Sequence, residues 1–410
     1  MIRCVLCWFA FALVTAQVPC RGQSPLTMKI APNDTRAGQY FGYSVALKNQ
    51  VLVAGALYDD AVASAAGAAY VLEREGDSWS QRIRLVKEMP MADELFGYDV
   101  ATDGETVAVS AVRESTGGIR LGAVYVYRRV EGAWSLQQRL LPGNRFDEGF
   151  FGGALIFAGD ALIVGAPAEG GTGAVYVFEE LAGSWSESDK LTTDDPETGL
   201  GTSLAVDGTT LVAGAAAYAG QQGAAYVFEN TGDVWLEQQR LVASDGIHLE
   251  RFGNAVAIRG DTIAVGVAQD RVVGEDSGSV YFFDRVGGSW TEGQFLTPSD
   301  AAPRQRFGSQ ITFHGETLVI SSAADSHSGI SRAGSVYRFR RQDETWVEEK
   351  KWVSGDPQDS QFFGYELAAD GEDLIIGAHG DSDGGTFSGA IYGTRGIFAD
   401  GFESGDTSRW

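Results

Sequence analysis

Reaction chemistry needs side chains that move protons, hold metals or attack carbonyls, and this 410-residue chain offers few of them in useful arrangements. Its four histidines, His248, His314, His327 and His379, are scattered, and no His-x-x-x-His pair, Gly-x-Ser-x-Gly elbow or phosphate-binding loop occurs. The turn Asp381-Ser382-Asp383-Gly384 comes nearest to a cation loop but lacks a closing carboxylate. The three cysteines, Cys4, Cys7 and Cys20, all fall within the first twenty residues, so no disulfide forms inside the body of the chain. What remains for catalysis is carboxylates from distant segments brought together in a shared cavity. The scaffold therefore has to be read first.

Composition bounds it. Glycine at 54 of 410 is near twice the usual ~7%, with proline only 10, which excludes collagen and low-complexity disorder. A net charge of −24 disfavours phosphate backbones and anionic lipid, so nucleic acid is not an expected partner. Arg3 and the apolar run Cys4–Val14, ending Val14-Thr15-Ala16, read as a signal peptide over residues 1–16, with cleavage as late as 22 as an alternative. No later stretch has the ~20 apolar residues of a membrane helix. The expectation is an exported protein, extracellular, cell-surface or periplasmic, held together by packing alone.

The elements are written in a repeat. Phe-Gly pairs begin at Phe41, Phe96, Phe151, Phe252, Phe307 and Phe363, with Leu200-Gly201 in the gap, at steps of 55, 55, 49, 52, 55 and 56 residues. A Gly-x-x-Tyr follows each, from Gly67–Tyr70 to Gly389–Tyr392, and a tryptophan comes nine residues after the first six tyrosines. Each unit reads as four short strands rich in β-branched and aromatic residues, without a sustained helical period. Such units repeated radially predict an all-β, seven-bladed β-propeller of four-stranded antiparallel blades over residues 24–396. The seventh unit lacks a fourth strand. Ser24–Ile30 supplies it, because Ile30 precedes Phe41 by 11 residues, as Leu85 precedes Phe96. The amino-terminal strand is thus predicted to complete the last blade beside Ile391, hiding two edges.

Eight residues past each Phe or Leu stands Asn49, Gly104, Gly159, Gly208, Gly260, Gly315 or Gly371. These mark a tight hairpin with positive φ between the first two strands. The rim carrying these hairpins reads as structural. The second turns and the crossovers between blades share the opposite rim and vary in length, and loops on a rigid scaffold are where binding groups sit. The candidate binding residues there are Tyr58, Asp59, Asp60, Phe146, Arg251, Arg306, His327, His379, Asp381 and Asp383, alongside Tyr40, Phe150, Asp276, Phe362 and Phe387.

Phe-Gly, the strand ending Val164-Gly165-Ala166-Pro167 and the run Gly173–Phe178 together resemble the FG-GAP repeat. That family builds the seven-bladed head of integrin α chains and many secreted bacterial proteins, and this chain resembles the bacterial branch. Integrin-type repeats carry a calcium loop between the first two strands. Here that connection is a two-residue turn, so those calcium sites are not carried over; no cofactor is expected, and Asp381–Gly384 is the one acidic turn where calcium stays an alternative. Arg259-Gly260-Asp261 spells the tripeptide that integrins recognise, yet in register it is the fifth copy of the first hairpin. Asn33-Asp34-Thr35 is a bare glycosylation sequon. The tail 397–410 resembles a carboxy-terminal motif of exported Gram-negative proteins, a sorting tag or else a disordered end.

These readings lead to an exported, monomeric, non-catalytic propeller that binds a protein or glycan through its variable rim, in adhesion or surface assembly. The alternative is a secreted hydrolase or lyase with its site in the central channel.

Overall fold

The computed structural model describes residues 24–26, 28–195, 198–216, 222–232, 234–244 and 251–395. The leader, Cys20, His248 and the tail lie outside them. Seven sheets of sequential antiparallel strands are arranged around an axis. Blade 1 comprises Val45–Lys48, Val51–Ala56, Ala68–Glu75 and Ser78–Leu85, and blade 2 runs from Phe96–Thr102 to Ala133–Leu140. Each first strand lies against those of both neighbouring blades, and the first strand of blade 7, Leu367–Asp370, lies against that of blade 1. The ring is closed.

The predicted closure forms, with one difference. Met28–Ile30 pairs antiparallel with Ile391–Gly393 of blade 7, placing Ile30 opposite Ile391. Ser24–Leu26 instead pairs parallel with Trp352–Ser354, adding a fifth strand to blade 6. The last strand of blade 6, Thr345–Ser354, is ten residues long and offers a free edge for it. A further ribbon, Ser115–Thr116 with Ile119–Arg120, decorates the second turn of blade 2.

The core lies between blades. In Val51–Ala56 every residue is buried, because alternate side chains face opposite neighbours: Val51 and Val53 pack with Phe96 and Val107 of blade 2, Leu52 and Ala54 with Ile375 and Ile391 of blade 7. The Phe-Gly and Gly-x-x-Tyr motifs are two halves of one clamp. Gly67 (φ 85°) bridges to Phe96 of the next blade, and a Cβ there would lie 2.0 Å from the Phe96 carbonyl oxygen; at Gly97 it would lie 2.2 Å from that of Ala68. Within a blade the same Phe rings meet the Tyr rings edge-on, Phe96 to Tyr125 at 5.5 Å and Phe41 to Tyr70 at 5.4 Å. At the outer edge Gln138, Gln239 and Gln294 each grip the backbone N–H and carbonyl of a tryptophan in the next blade, Trp185, Trp290 and Trp346.

The structural rim is as expected. Asn49 has φ 47°, and the six equivalent glycines lie between 53° and 101°. Gly260 is one of these turns, and its neighbours Arg259 and Asp261 pair with Glu316 and Arg285.

A candidate binding site at the channel mouth

On the opposite rim the crossover makes one tight turn at each blade. The residue before the Phe (or Leu200) has a left-handed backbone in all seven: Tyr40 (58°), Leu95 (57°), Phe150 (60°), Gly199 (68°), Arg251 (67°), Arg306 (57°) and Phe362 (55°). Six of these are bulky side chains in a conformation that costs them roughly 1 kcal/mol or more each. The turn is over-determined by hydrogen bonds. The Tyr40, Leu95, Arg306 and Phe362 N–H groups donate to the second turn of the preceding blade, and the Tyr43, Tyr98, Asn254 and Tyr365 N–H groups donate back to the left-handed residue.

The residues two and three places past the Phe then enter the axial channel, a cavity of about 930 Å³. Around the ring these are Tyr43 in blade 1, Tyr98 and Asp99 in blade 2, Gly153 and Ala154 in blade 3, Thr202 and Ser203 in blade 4, Asn254 in blade 5, Ser309 and Gln310 in blade 6, and Tyr365 and Glu366 in blade 7. Arg251, Arg306 and Phe362 also line it. The wall is polarised: aromatic and acidic from blades 7, 1 and 2, small in blades 3 and 4, cationic at the mouth in blades 5 and 6.

Among the described residues the acids carry no ion pair. Asp99 accepts from the backbone N–H of Val100 at 2.9 Å and of Leu155 at 2.7 Å, and Glu366 accepts from Gln310 at 2.7 Å. Burial pushes Asp99 up to about 7 against those two hydrogen bonds. Burial first, then the charge of Asp99, holds Glu366 well above the usual carboxylate range. Between their blades sits Tyr43, its ring 5.5 Å from Tyr98 and 4.9 Å from Tyr365. Burial, then the Tyr98 and Tyr365 hydroxyls, keeps the Tyr43 phenol protonated far above its ordinary range.

His379 joins channel to rim. Its ring stacks on Phe362 at 5.1 Å and on Tyr40 at 5.4 Å, and meets Tyr365 edge-on at 4.2 Å. Tyr40 in turn contacts Tyr58 and Phe387. Burial pulls His379 down to about 3, so it serves as a neutral aromatic, and its Nδ1 is buried without a hydrogen-bond partner among the described residues.

Of the residues singled out from sequence, Tyr40, Tyr58, Phe362, His379, Phe387, Arg251 and Arg306 therefore converge on the mouth, with Phe150 edge-on to Tyr98 at 5.1 Å and Asp276 paired with Arg306. The rest lie elsewhere. Asp59 is 1% exposed and binds Gln39, Tyr70 and Arg84 of its own blade region. Asp381, equally buried, and exposed Asp383 surround Lys29. His327 is buried, its Nε2 on the Gly334 carbonyl. Phe146 is exposed with Lys190 5.9 Å from its ring centre, and Asp60 is exposed. Sequence reasoning missed Tyr43, Tyr98, Asp99, Tyr365 and Glu366. The signal was available, since the two places after each Phe-Gly or Leu200-Gly201 change from unit to unit while the pair itself is nearly constant.

The buried second-turn acids belong to a recurrent network. In six blades the tyrosine of Gly-x-x-Tyr sits opposite a Lys or Arg of the fourth strand: Arg84, Arg139, Lys190, Arg240, Lys351 and Lys29. Each cation neutralises an acid that also takes the tyrosine hydroxyl, as Arg139 and Tyr125 do at Glu114. In blade 5 Phe295 replaces the cation and stacks on Tyr281 at 5.6 Å. The fullest version is in blade 7, where Asp356, Asp381 and Asp383 offer oxygens within 4.8 Å of one another. Lys29 stands at their centre, 2.8, 2.7 and 2.6 Å from the three. An ammonium thus fills the place a divalent cation would take.

The FG-GAP repeat family model matches residues 26–72, 79–127, 185–228, 235–283, 290–339 and 346–393. The chain belongs to the FG-GAP repeat family. The matched windows run from a fourth strand into the next blade, so the sequence repeat straddles the structural one. No curated protein matches the FG-GAP chain. Among solved structures it is similar to a chain of the mitotic checkpoint complex, with TM-score 0.58 and 12% identity over 95% of this chain and 99% of that one. It is also similar to a Bacteroides uniformis protein provisionally described as a 6-phosphogluconolactonase, with TM-score 0.54 and 12% identity over 81% and 89%. At such identities the likeness is one of fold. Among the described residues no helix is long and apolar enough to cross a membrane.

Proposed function

We propose that this FG-GAP propeller is an exported, non-catalytic recognition module that binds a protein or glycan partner through its variable rim, in adhesion or surface assembly of a Gram-negative cell. One observation carries the reading: six bulky residues are held in left-handed backbone around a single opening on that rim, while the other rim is seven near-identical hairpins. Strain of that kind collects where side chains must be aimed. The module acts as one copy, because ring closure leaves no inner sheet edge to recruit another chain.

The test is a pull-down and glycan-array screen with the mature chain. Saturable binding should disappear when the second turns of blades 1 and 7 are exchanged for that of blade 3, and should survive exchange of the first hairpins. Equal loss from both exchanges would refute the rim assignment. A second reading, a glycan-cleaving enzyme, is favoured by Asp99 and Glu366, two carboxyl groups sharing one channel, of which one held protonated would serve as the acid that such cleavage needs. Turnover of a polysaccharide panel, abolished by Asp99→Asn or Glu366→Gln, would favour that reading over the first.

A further inference from the structure

We propose that the channel mouth binds a terminal uronic-acid residue of a saccharide, its carboxylate taken by Arg251 and Arg306; this rests on the rim reading above and names its ligand. Lys48, Arg251 and Arg306 are the basic residues lining the channel, and Lys48, at the hairpin end, is already paired with Asp370 at 2.9 Å. Arg251 is exposed, lines the cavity and makes no side-chain hydrogen bond or ion pair among the described residues. Arg306, from the adjacent blade, has a 3.4 Å contact with Asp276, and its charge reaches Tyr365. Both sit at left-handed positions, φ 67° and 57°, so the fold holds two guanidiniums at one opening of a protein whose net charge is −24. A guanidinium matches the planar, two-oxygen geometry of a carboxylate.

The rest of the cavity suits a sugar. The volume of about 930 Å³ is that of the whole channel, from Lys48 and Asp103 at the hairpin end to Arg251 and Arg306 at the mouth, so the mouth opens into a concave space rather than a flat surface. Next to Arg306 around the ring stand Phe362, backed on one side by His379 at 5.1 Å, and Tyr365, aromatic surfaces against which a pyranose ring can lie. In the same two blades as the arginines, Gln310 gives its amide N–H to Glu366 and leaves its carbonyl oxygen to accept from a ring hydroxyl, while Asn254 is held by Gly308, Ser309 and Ala268. A single terminal uronate fits better than a polyanion, because a second carboxylate further down the channel would meet Asp99 and Glu366. A neutral sugar would leave the arginines unused.

Calorimetric titration of the mature chain with glucuronosyl-glucose, with its methyl ester and with an aspartate-containing tripeptide tests this directly. The acid disaccharide should bind, the ester at least tenfold more weakly, and Arg251→Gln or Arg306→Gln should each weaken the acid at least fivefold without lowering the melting temperature. Arg259→Gln on the hairpin rim should change nothing. Phe362→Ala should weaken acid and ester alike. Equal binding of acid and ester, loss of binding in neither arginine variant, or a tripeptide as strong as the disaccharide would overturn the uronate assignment. The loop-exchange pull-down would still decide the rim reading independently.

Discussion

The propeller treats buried acids in two opposite ways. In six of the blade walls, as at Asp381 with Lys29 or Glu169 with Lys190, a carboxylate is met by a cation of its own blade and a tyrosine hydroxyl. In the channel, Asp99 and Glu366 have amide donors but no cation among the described residues. The first arrangement fixes a fold; a buried carboxylate left uncompensated costs stability and is retained where it has another task. Identical residue types thus separate into scaffold and candidate site by whether a counter-charge stands beside them.

The contrast is broken most directly in the channel. Asp99, raised to about 7, and Glu366, also raised, keep their protons in the fold at pH values where the unfolded chain has released them. Stability should therefore fall as pH rises from about 4 through 7, Asp99 alone accounting for about 3 kcal/mol and Glu366 adding in the same direction. The double variant Asp99→Asn, Glu366→Gln should be nearly flat in that window in urea titrations, and an unchanged slope would remove the contrast. In the wall the sign reverses. Asp356 is held low by the hydrogen bonds from Lys29 and Tyr392, which outweigh its burial, so its contribution is present above about pH 4 and lost as acid protonates it. Lys29→Met should cost about 3 kcal/mol at pH 7, and the deficit should shrink in acid as Asp356 protonates.

His379, pulled down to about 3, penalises the fold from below: its stability is intact above about pH 6.5 and erodes as pH falls, because only the unfolded imidazole protonates. His379→Phe should gain about 2 kcal/mol at pH 5 relative to pH 8, by thermal melts at both. The smallest effect belongs to Asp383, whose side chain is 60% exposed. Asp383→Asn should cost no more than about 0.5 kcal/mol, whereas a loss as large as that of Lys29→Met would mean the cluster acts as one unit.

The blades were legible because their determinants are strictly periodic. Phe-Gly recurs six times with Leu200-Gly201 in the seventh place, Gly-x-x-Tyr seven times, and the hairpin glycine six times with Asn49 in the seventh, each at one position per blade, so spacing alone reveals them. The pairing of Ile30 with Ile391 followed from one such spacing. The channel was not legible, since Asp99 and Glu366 are 267 positions apart and become neighbours only through the closed ring. Reading Asp59 and Asp381 as rim groups from their loops had a similar source. Nothing local shows that Arg84 or Lys29 reaches across from the fourth strand. Splitting of the leading segment between blades 6 and 7 also escaped the pattern, because the extra length of the last strand of blade 6 has no counterpart in the other units.

That split has a consequence for biogenesis. Residues 24–30 are made first, yet their partners at 352–354 and 391–393 are made almost last. During synthesis the growing barrel-like stack must wait, open, with its earliest ribbon searching across the whole length of the polypeptide before the disc can seal. A chain stopped short of Tyr392 would carry the key without the lock.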